Sequence, residues 1–280
     1  MTQIRSKTVL VTGGANGIGK LMAQKLMEEG ASRAILWDIN IDNLSKTKEE
    51  FERKGFETYT YHVDVSDIED IKKNALLVQE EVGDVDILIN NAGIVVGKPF
   101  EEHTHRDIKK TIDINVSGVM YVTLAFLPRM IERRRGHVVN IASAAGLIPN
   151  PNMSVYAASK WAVIGWSDSL RLEMEEKHPD VKVLTVMPSY INTGMFDGVK
   201  APFLTPIMEP EYIVEKIIEG IKANEIILQE PFMVKTIPFL KGVLPQTIFD
   251  FVAGSIFGVY KTMDTFKGRP THEAVPEKKN

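Results

Sequence analysis

The 280-residue sequence contains no cysteine, which excludes disulfide staples, thiolate nucleophiles and cysteine-based zinc sites and leaves the redox compartment unspecified. Its six histidines are scattered, with no pair at metal-ligand spacing and no HExxH, so no metal site is expected. Positive charge is not in surplus: 33 Lys and Arg stand against 37 Asp and Glu, a formal net charge of −4. That balance argues against a dedicated nucleic-acid surface, so no nucleic-acid partner is expected. No uninterrupted apolar run approaches the roughly 20 residues that span a bilayer. The first residues, Met1 to Lys7, lack the apolar stretch of a signal peptide. A cytoplasmic chain is expected, without repeats, low-complexity tracts or a clear interdomain linker.

Against these absences, apolar runs of strand length alternate with longer helical patterns, which predicts βαβ units and a parallel sheet. The strands are expected at residues 9–11, 34–37, 58–63, 87–89, 138–141, 183–186 and 226–228. Helices are expected at 17–29, 41–54, 68–82, 106–134, 155–176 and 211–222. The fold class is therefore α/β, a single doubly wound domain over 1–230 with a seven-stranded parallel sheet. A helical, apolar and basic extension follows at 231–270, and a polar tail at 271–280 is expected to be disordered.

Thr12 to Gly19, TGGANGIG, lies between the first strand and the first helix. Glycines there allow a tight turn and a close approach to a pyrophosphate at the helix N-terminus. The run from Gly14 to Lys20 also fits the phosphate-loop spacing of nucleotide hydrolases. The next residue is Leu21, however, where that motif needs a magnesium-binding hydroxyl. Asp38 closes the second strand, where a carboxylate accepts hydrogen bonds from an adenosine ribose. Its charge repels the 2′-phosphate of NADP and Asn16 offers no cation to offset it, so the cofactor is expected to be NAD. A plain turn residue before Ile39 is the competing reading of Asp38.

Tyr156 and Lys160 stand four residues apart and stack on one helix face. A phenol of pKa near ~10 is a poor base at neutral pH, and a nearby ammonium lowers that value. A tyrosine–lysine pair at this spacing is common on ordinary helices. Ser143 gives it weight, because it follows the fifth strand at the carboxyl end of the sheet, where a hydroxyl can meet a reacting carbonyl.

With these residues in view, the sequence resembles the short-chain dehydrogenase/reductase family over about residues 5–230. TGGANGIG is similar to the family's cofactor loop, Asp64-Val65 to the pair at the adenine ring, and Asn90-Asn91-Ala92-Gly93 to the element after the fourth strand. Asn115, Ser143, Tyr156 and Lys160 match the catalytic tetrad in order. The resemblance implies a Rossmann-type fold and an NAD-dependent oxidoreductase in which Tyr156 is the acid or base. It makes Ser143 the orienter of the substrate oxygen and Lys160 the holder of the nicotinamide ribose. Asn115 would keep a water through its backbone at a helix irregularity. The cofactor set it implies comprises Gly13, Asn16, Gly17, Ile18, Gly19, Asp38, Asp64, Val65, Asn91, Ala92, Gly93, Tyr156, Lys160, Pro188, Ile191 and Thr193. The sequence departs from the family at Ser189, where glycine commonly follows Pro188; serine adopts positive φ less cheaply. Tyr190 is therefore expected nearer the pocket. A dinucleotide-binding scaffold or sensor without turnover is the alternative, against which the complete tetrad argues.

The expected pocket residues Val95, Ala145, Met153, Tyr190 and Phe196 lie in mostly apolar stretches with no Lys or Arg to clamp an anion. A lipophilic alcohol or ketone is the expected substrate, beneath a lid at 194–210. LWDIN at 36–40, ASAAG at 142–146 and MDTFKGR at 263–269 resemble most the family branch of hydroxysteroid and retinol dehydrogenases of lipid droplets and microsomes. Those relatives carry an N-terminal hydrophobic anchor that is not seen in this sequence. In the extension, five basic residues against two acids accompany an apolar stripe. Three roles fit it: packing on its own domain or a neighbouring subunit, closing the pocket, or peripheral contact with a membrane or lipid droplet. The helices at 106–134 and 155–176 resemble those through which the family forms homodimers and homotetramers.

Overall fold

The chain, seen in a computed structural model, is described over residues 1–268; the expected disordered tail at 271–280 lies outside the described residues. The apolar runs become strands buried on both faces, which is why they read as unbroken hydrophobic stretches rather than alternating ones. β1 (Thr8–Thr12) is buried along its whole length. With β2 (Arg33–Asp38), β3 (Thr58–His62), β4 (Ile87–Asn90), β5 (Gly136–Ile141), β6 (Val181–Pro188) and β7 (Ile227–Glu230) it forms one seven-stranded sheet. Every strand pair is parallel and the order is β3-β2-β1-β4-β5-β6-β7. The order reverses beside β1, which opens a crevice beyond the carboxyl ends of the strands.

Successive strand residues point to opposite faces and feed two core layers. Val9, Val11 and Leu36 pack on one face against α1 (Gly17–Glu28) and α7 (Pro210–Ala223). Leu10, Ile35 and Trp37 pack on the other, against α3 (Ile68–Glu81), α5 (Val119–Glu132) and α6 (Ser154–Lys177). The helix starts are marked by polar caps. Asn16 caps α1, Asn40 caps α2 (Ile41–Arg53), Asp67 caps α3, and Thr104 forms a capping box with Asp107 on α4 (His105–Ile112). α7 opens on Pro210 and stops at Asn224 in the left-handed region, φ 57°.

The helix expected at 106–134 is α4 and α5 joined by a π-helical turn, Asp113–Gly118. By length and composition His105–Glu132 could cross a membrane; here α5 packs on α3, β4 and β5. The last strand runs on through Gln229 and Glu230, which pair with Met187 and Pro188. Their polarity hides them from an apolar pattern. Glu230 is buried, and its carboxylate accepts from the Tyr212 hydroxyl at 3.0 Å and meets the Lys235 ammonium at 3.5 Å.

Beyond the sheet, α8 (Phe232–Val243) and α9 (Gln246–Phe251) fold back over the loop that precedes α6. Phe249 and Ala253 are buried with Ile148, and Ile237 and Leu240 pack on them. Lys241 donates to the Leu147 carbonyl at 3.1 Å, and its ammonium stands 4.1 Å from the Trp161 ring centre. On the outer side Phe232, Phe239 and Phe251 remain exposed.

Candidate active site

The glycine loop turns from β1 into α1 at the crevice. Gly13 and Gly17 have φ of 63° and 54°, the region that favours glycine. A Cβ on Gly19 would lie 2.2 Å from the Gly13 carbonyl oxygen and 2.5 Å from Asn91 Nδ2. The loop is thus folded tightly on the segment after β4. Asn91 fastens it by donating from Nδ2 to the carbonyls of Thr12 and Gly13, while Asn91 and Ala92 donate their backbone N–H groups to Thr12 Oγ1. Asn16 uses its side chain to cap Gly17. The N–H groups of Ile18 and Gly19 have no intrahelical carbonyl within reach, and no acidic residue stands in that first turn. Unpaired N–H groups of this kind are where an anion such as a dinucleotide pyrophosphate could be held.

Asp38 lies beside this loop. One carboxylate oxygen accepts from Ala15 N at 3.1 Å and the other from Asn40 N at 3.0 Å. It therefore braces the loop and the following turn while presenting a negative charge at the crevice. Farther along the same edge, Asp64 accepts from the backbone and hydroxyl of Ser66. The Val65 carbonyl crowds Gly118 so closely that a Cβ there would sit 2.6 Å away.

On the other side of β4 the tetrad residues converge. Asn115 is fully buried in the π-helical turn. Its amide brackets the Ile94 peptide, accepting from its N–H and donating to its carbonyl, both at 2.9 Å, and also donates to Ser159 Oγ at 3.1 Å. The irregularity expected there is present, and π turns interrupt regular helical bonding. Gly93 is held next to it: a Cβ would be 3.3 Å from Asn115 Oδ1 and 3.8 Å from Lys160 Nζ.

Tyr156 and Lys160 are both buried on α6. Lys160 Nζ donates to the Ile141 carbonyl at 2.8 Å and lies 5.7 Å from the Tyr156 ring centre. Burial holds the ammonium down to about 8. Burial also pushes the Tyr156 phenol above its ordinary range, the Ser143 hydroxyl opposes that push, and Tyr190 adds to it. The sequence led us to expect a phenol acidified by the lysine. In the fold the ammonium is directed to Ile141, and loss of water dominates both groups. Ser143 Oγ accepts from Ala145 N at 3.1 Å and donates to the Pro188 carbonyl at 3.4 Å. Ile191 is buried and bridges to Met208, and Thr193 donates its N–H to the Ile191 carbonyl, so the root of the expected lid is tied down.

The five expected substrate residues come together. Val95, Ala145, Met153, Tyr190 and Phe196 pack around Tyr156, with the Phe196 ring edge-on to both tyrosines. From Ser143 an apolar cavity of about 100 Å³ runs past Tyr190 and Phe196 to Leu240, Phe249 and Phe257 of the C-terminal segment. Of the three roles open to that segment, packing on its own domain and closing the pocket are both realised. It also tethers the expected lid: Lys200 N donates to the Thr262 carbonyl, Phe203 N to Phe257, and Lys267 N to Asp197. Sequence reasoning missed Asn150, Thr262 and Met263 at this site. Asn150 sits between Ser143 and Tyr156 in a stretch read only for its apolar lining, and Thr262 and Met263 fall at the stretch read only as a mark of the family branch.

Residues 7–202 match the family profile described as short chain dehydrogenase. The chain is 37% identical over 270 residues to epidermal retinol dehydrogenase 2 of Mus musculus, covering 95% of this chain and 87% of that protein. It is 34% identical to estradiol 17-beta-dehydrogenase 11 of Homo sapiens, covering 87% and 81%. Among solved structures, a short chain dehydrogenase/reductase from Burkholderia phymatum in complex with NAD superposes with a TM-score of 0.79 at 23% identity, over 86% of this chain and 95% of that one. A metagenomic short-chain oxidoreductase in complex with NADP gives 0.69 at 28% identity, over 81% and 96%.

Proposed function

The chain belongs to the short-chain dehydrogenase family and is an oxidoreductase; on that premise we propose that it interconverts a lipophilic alcohol and its carbonyl compound, steroid- or retinoid-like in character, using NAD. The observation that carries the reading is the apolar cavity that opens at the buried Ser143 hydroxyl and is walled by Ala145, Met153, Tyr190 and Phe196, the residues that also pack around Tyr156. The names of the relatives, a retinol and an estradiol dehydrogenase, support the substrate class.

A bound nicotinamide dinucleotide supplies or accepts the hydride. Gly13, Asn16, Gly17, Ile18 and Gly19 would hold its pyrophosphate, Asp38 the adenosine ribose, Asp64 and Val65 the adenine, and Lys160 the nicotinamide ribose. Asn91, Ala92 and Gly93 would flank it, with Pro188, Ile191 and Thr193 at the carboxamide end. The Asp38 charge favours NAD over NADP.

The rest of the chemistry falls to side chains of this chain. Ser143 Oγ would donate to the substrate oxygen and so orient the reacting carbon. Burial keeps Tyr156 protonated, which suits it to protonate that oxygen during reduction. In oxidation the phenolate oxygen would take the alcohol proton; burial disfavours that form, and the Lys160 ammonium would oppose the burial from 5.7 Å off the ring centre rather than through a direct bond. Asn115 fixes the Ile94 peptide and, through Ser159, the first turns of α6. The exposed Phe232, Phe239 and Phe251 support a peripheral contact with a lipid surface, the phase in which such substrates reside.

The test is turnover of steroid, retinoid and simple secondary alcohols with NAD and NADP, read from nicotinamide absorbance. Tyr156→Phe should abolish turnover while keeping dinucleotide affinity, and Asp38→Ala should erode the preference for NAD. Turnover surviving in Tyr156→Phe refutes the proton role, and a native preference for NADP refutes the part given to Asp38.

A further inference from the structure

The cavity wall is interrupted by a buried polar group that the proton chemistry does not use. Asn150, in the loop that leads into α6, lines both this cavity and the outer cleft beside Trp161 and Tyr260, and is only 8% exposed. Its amide nitrogen donates to the Tyr190 hydroxyl at 3.0 Å and to Thr262 Oγ1 at 2.8 Å. Its amide oxygen, also buried, has no donor among the described residues. The other buried side-chain atoms without partners, such as Trp37 Nε1 and His137 Nε2, belong to residues that do not line the cavity.

The orientation of the amide follows from its neighbours. The single hydroxyl proton of Thr262 goes to the Val259 carbonyl at 3.0 Å, so Thr262 can only accept from Asn150. Tyr190, which stands 2.8 Å from the same Thr262 oxygen, then donates to it and accepts from Asn150. Every proton of this cluster is placed, and the unused valence is an acceptor, Oδ1. Holding an amide oxygen out of water without a donor is costly, so a donor is expected to meet it.

We infer that Asn150 Oδ1 is a second recognition point in the cavity and accepts a hydrogen bond from a hydroxyl group carried by the substrate away from its reacting carbon. The inference rests on the reading of this cavity as the alcohol site. The substrate is then an apolar molecule with two oxygens: one at Ser143 and Tyr156, and a hydroxyl at Asn150. A ketone or ether at the second position has no proton to give and is disfavoured there. Tying the Tyr190 loop to the C-terminal segment uses only the nitrogen of the amide, and gives no account of the oxygen.

Equilibrium dialysis of the full chain with reduced dinucleotide present, so that no alcohol turns over, tests this directly. The probes are α,ω-alkanediols of increasing length, each paired with the 1-alkanol of the same length. At one length the diol should bind at least as tightly as its alkanol. In Asn150→Leu that diol should weaken about tenfold while the alkanol is held as before. A diol weaker than its alkanol at every length overturns the inference, as does an equal loss of both probes in Asn150→Leu. If Asn150→Leu does not fold, the wild-type comparison decides alone. Failure of every probe to bind would instead strike at the cavity as the alcohol site.

Discussion

Replacing Lys160 with methionine removes an ammonium that the fold keeps from water while retaining most of its stem. An unfolded lysine titrates near 10.5, whereas burial holds this one to about 8. Below about pH 8 the group is charged in both states, and the folded state bears the desolvation cost. At ~1.36 kcal/mol per pH unit, the gap corresponds to about 3 kcal/mol. The sign follows from proton counting. Between about 8 and 10.5 the unfolded chain binds a proton that the folded chain has released, so wild-type stability gains from this group as pH rises through that window. Lys160→Met has no such gain. Its stability relative to wild type should be greatest below pH 8 and fall by about 3 kcal/mol toward pH 10.5. The Ile141 carbonyl, left without its donor, costs roughly 1–3 kcal/mol and moves the variant's whole curve without changing its slope. Urea unfolding of both proteins, followed by tryptophan fluorescence at a series of pH values, measures the difference. Parallel curves across the window would refute the reasoning, because they would mean that the ammonium is as well solvated in the fold as in water.

A Cβ at Gly19 would press on the Gly13 carbonyl and on Asn91. Gly19→Ala should therefore shift the loop, lose about 1–3 kcal/mol of stability and weaken dinucleotide binding at least about tenfold. Fluorescence titration with NADH checks this, and wild-type affinity would count against the tight loop. The exposed Phe232, Phe239 and Phe251 should carry the chain upward with anionic vesicles in a flotation gradient. Replacing all three by serine should leave it at the bottom, and equal flotation of the two proteins removes the lipid contact.

The sheet was legible because strands covered on both faces need unbroken apolar runs, as at Val9 to Val11 and Ile87 to Ile89. Where polar residues join a strand, as Gln229 and Glu230 do, the pattern is silent: their place depends on β6 and on a partner hydroxyl from α7. The π-helical turn at Asn115 escaped periodicity for a related reason. Its apolar neighbours continue the rhythm of a helix, and only the Ile94 peptide across the crevice shows what the asparagine holds. The positions of Tyr156 and Lys160 on one helix face could be read from their spacing, but not the Ile141 carbonyl that claims the ammonium. Asn150 was beyond reach, since its partners Tyr190 and Thr262 lie 40 and 112 residues away.

The cavity wall between Met233 and Val259 comes from the far end of the chain, beyond the residues that match the family profile. Synthesis delivers the chain from its N-terminus, so a nascent molecule holds its glycine loop and its tyrosine before it has a vessel for a substrate. On the proposed function, variation in this stretch would alter which molecule is accepted while the residues assigned to the proton stay untouched. One gene can in this way retain its chemistry and change its diet.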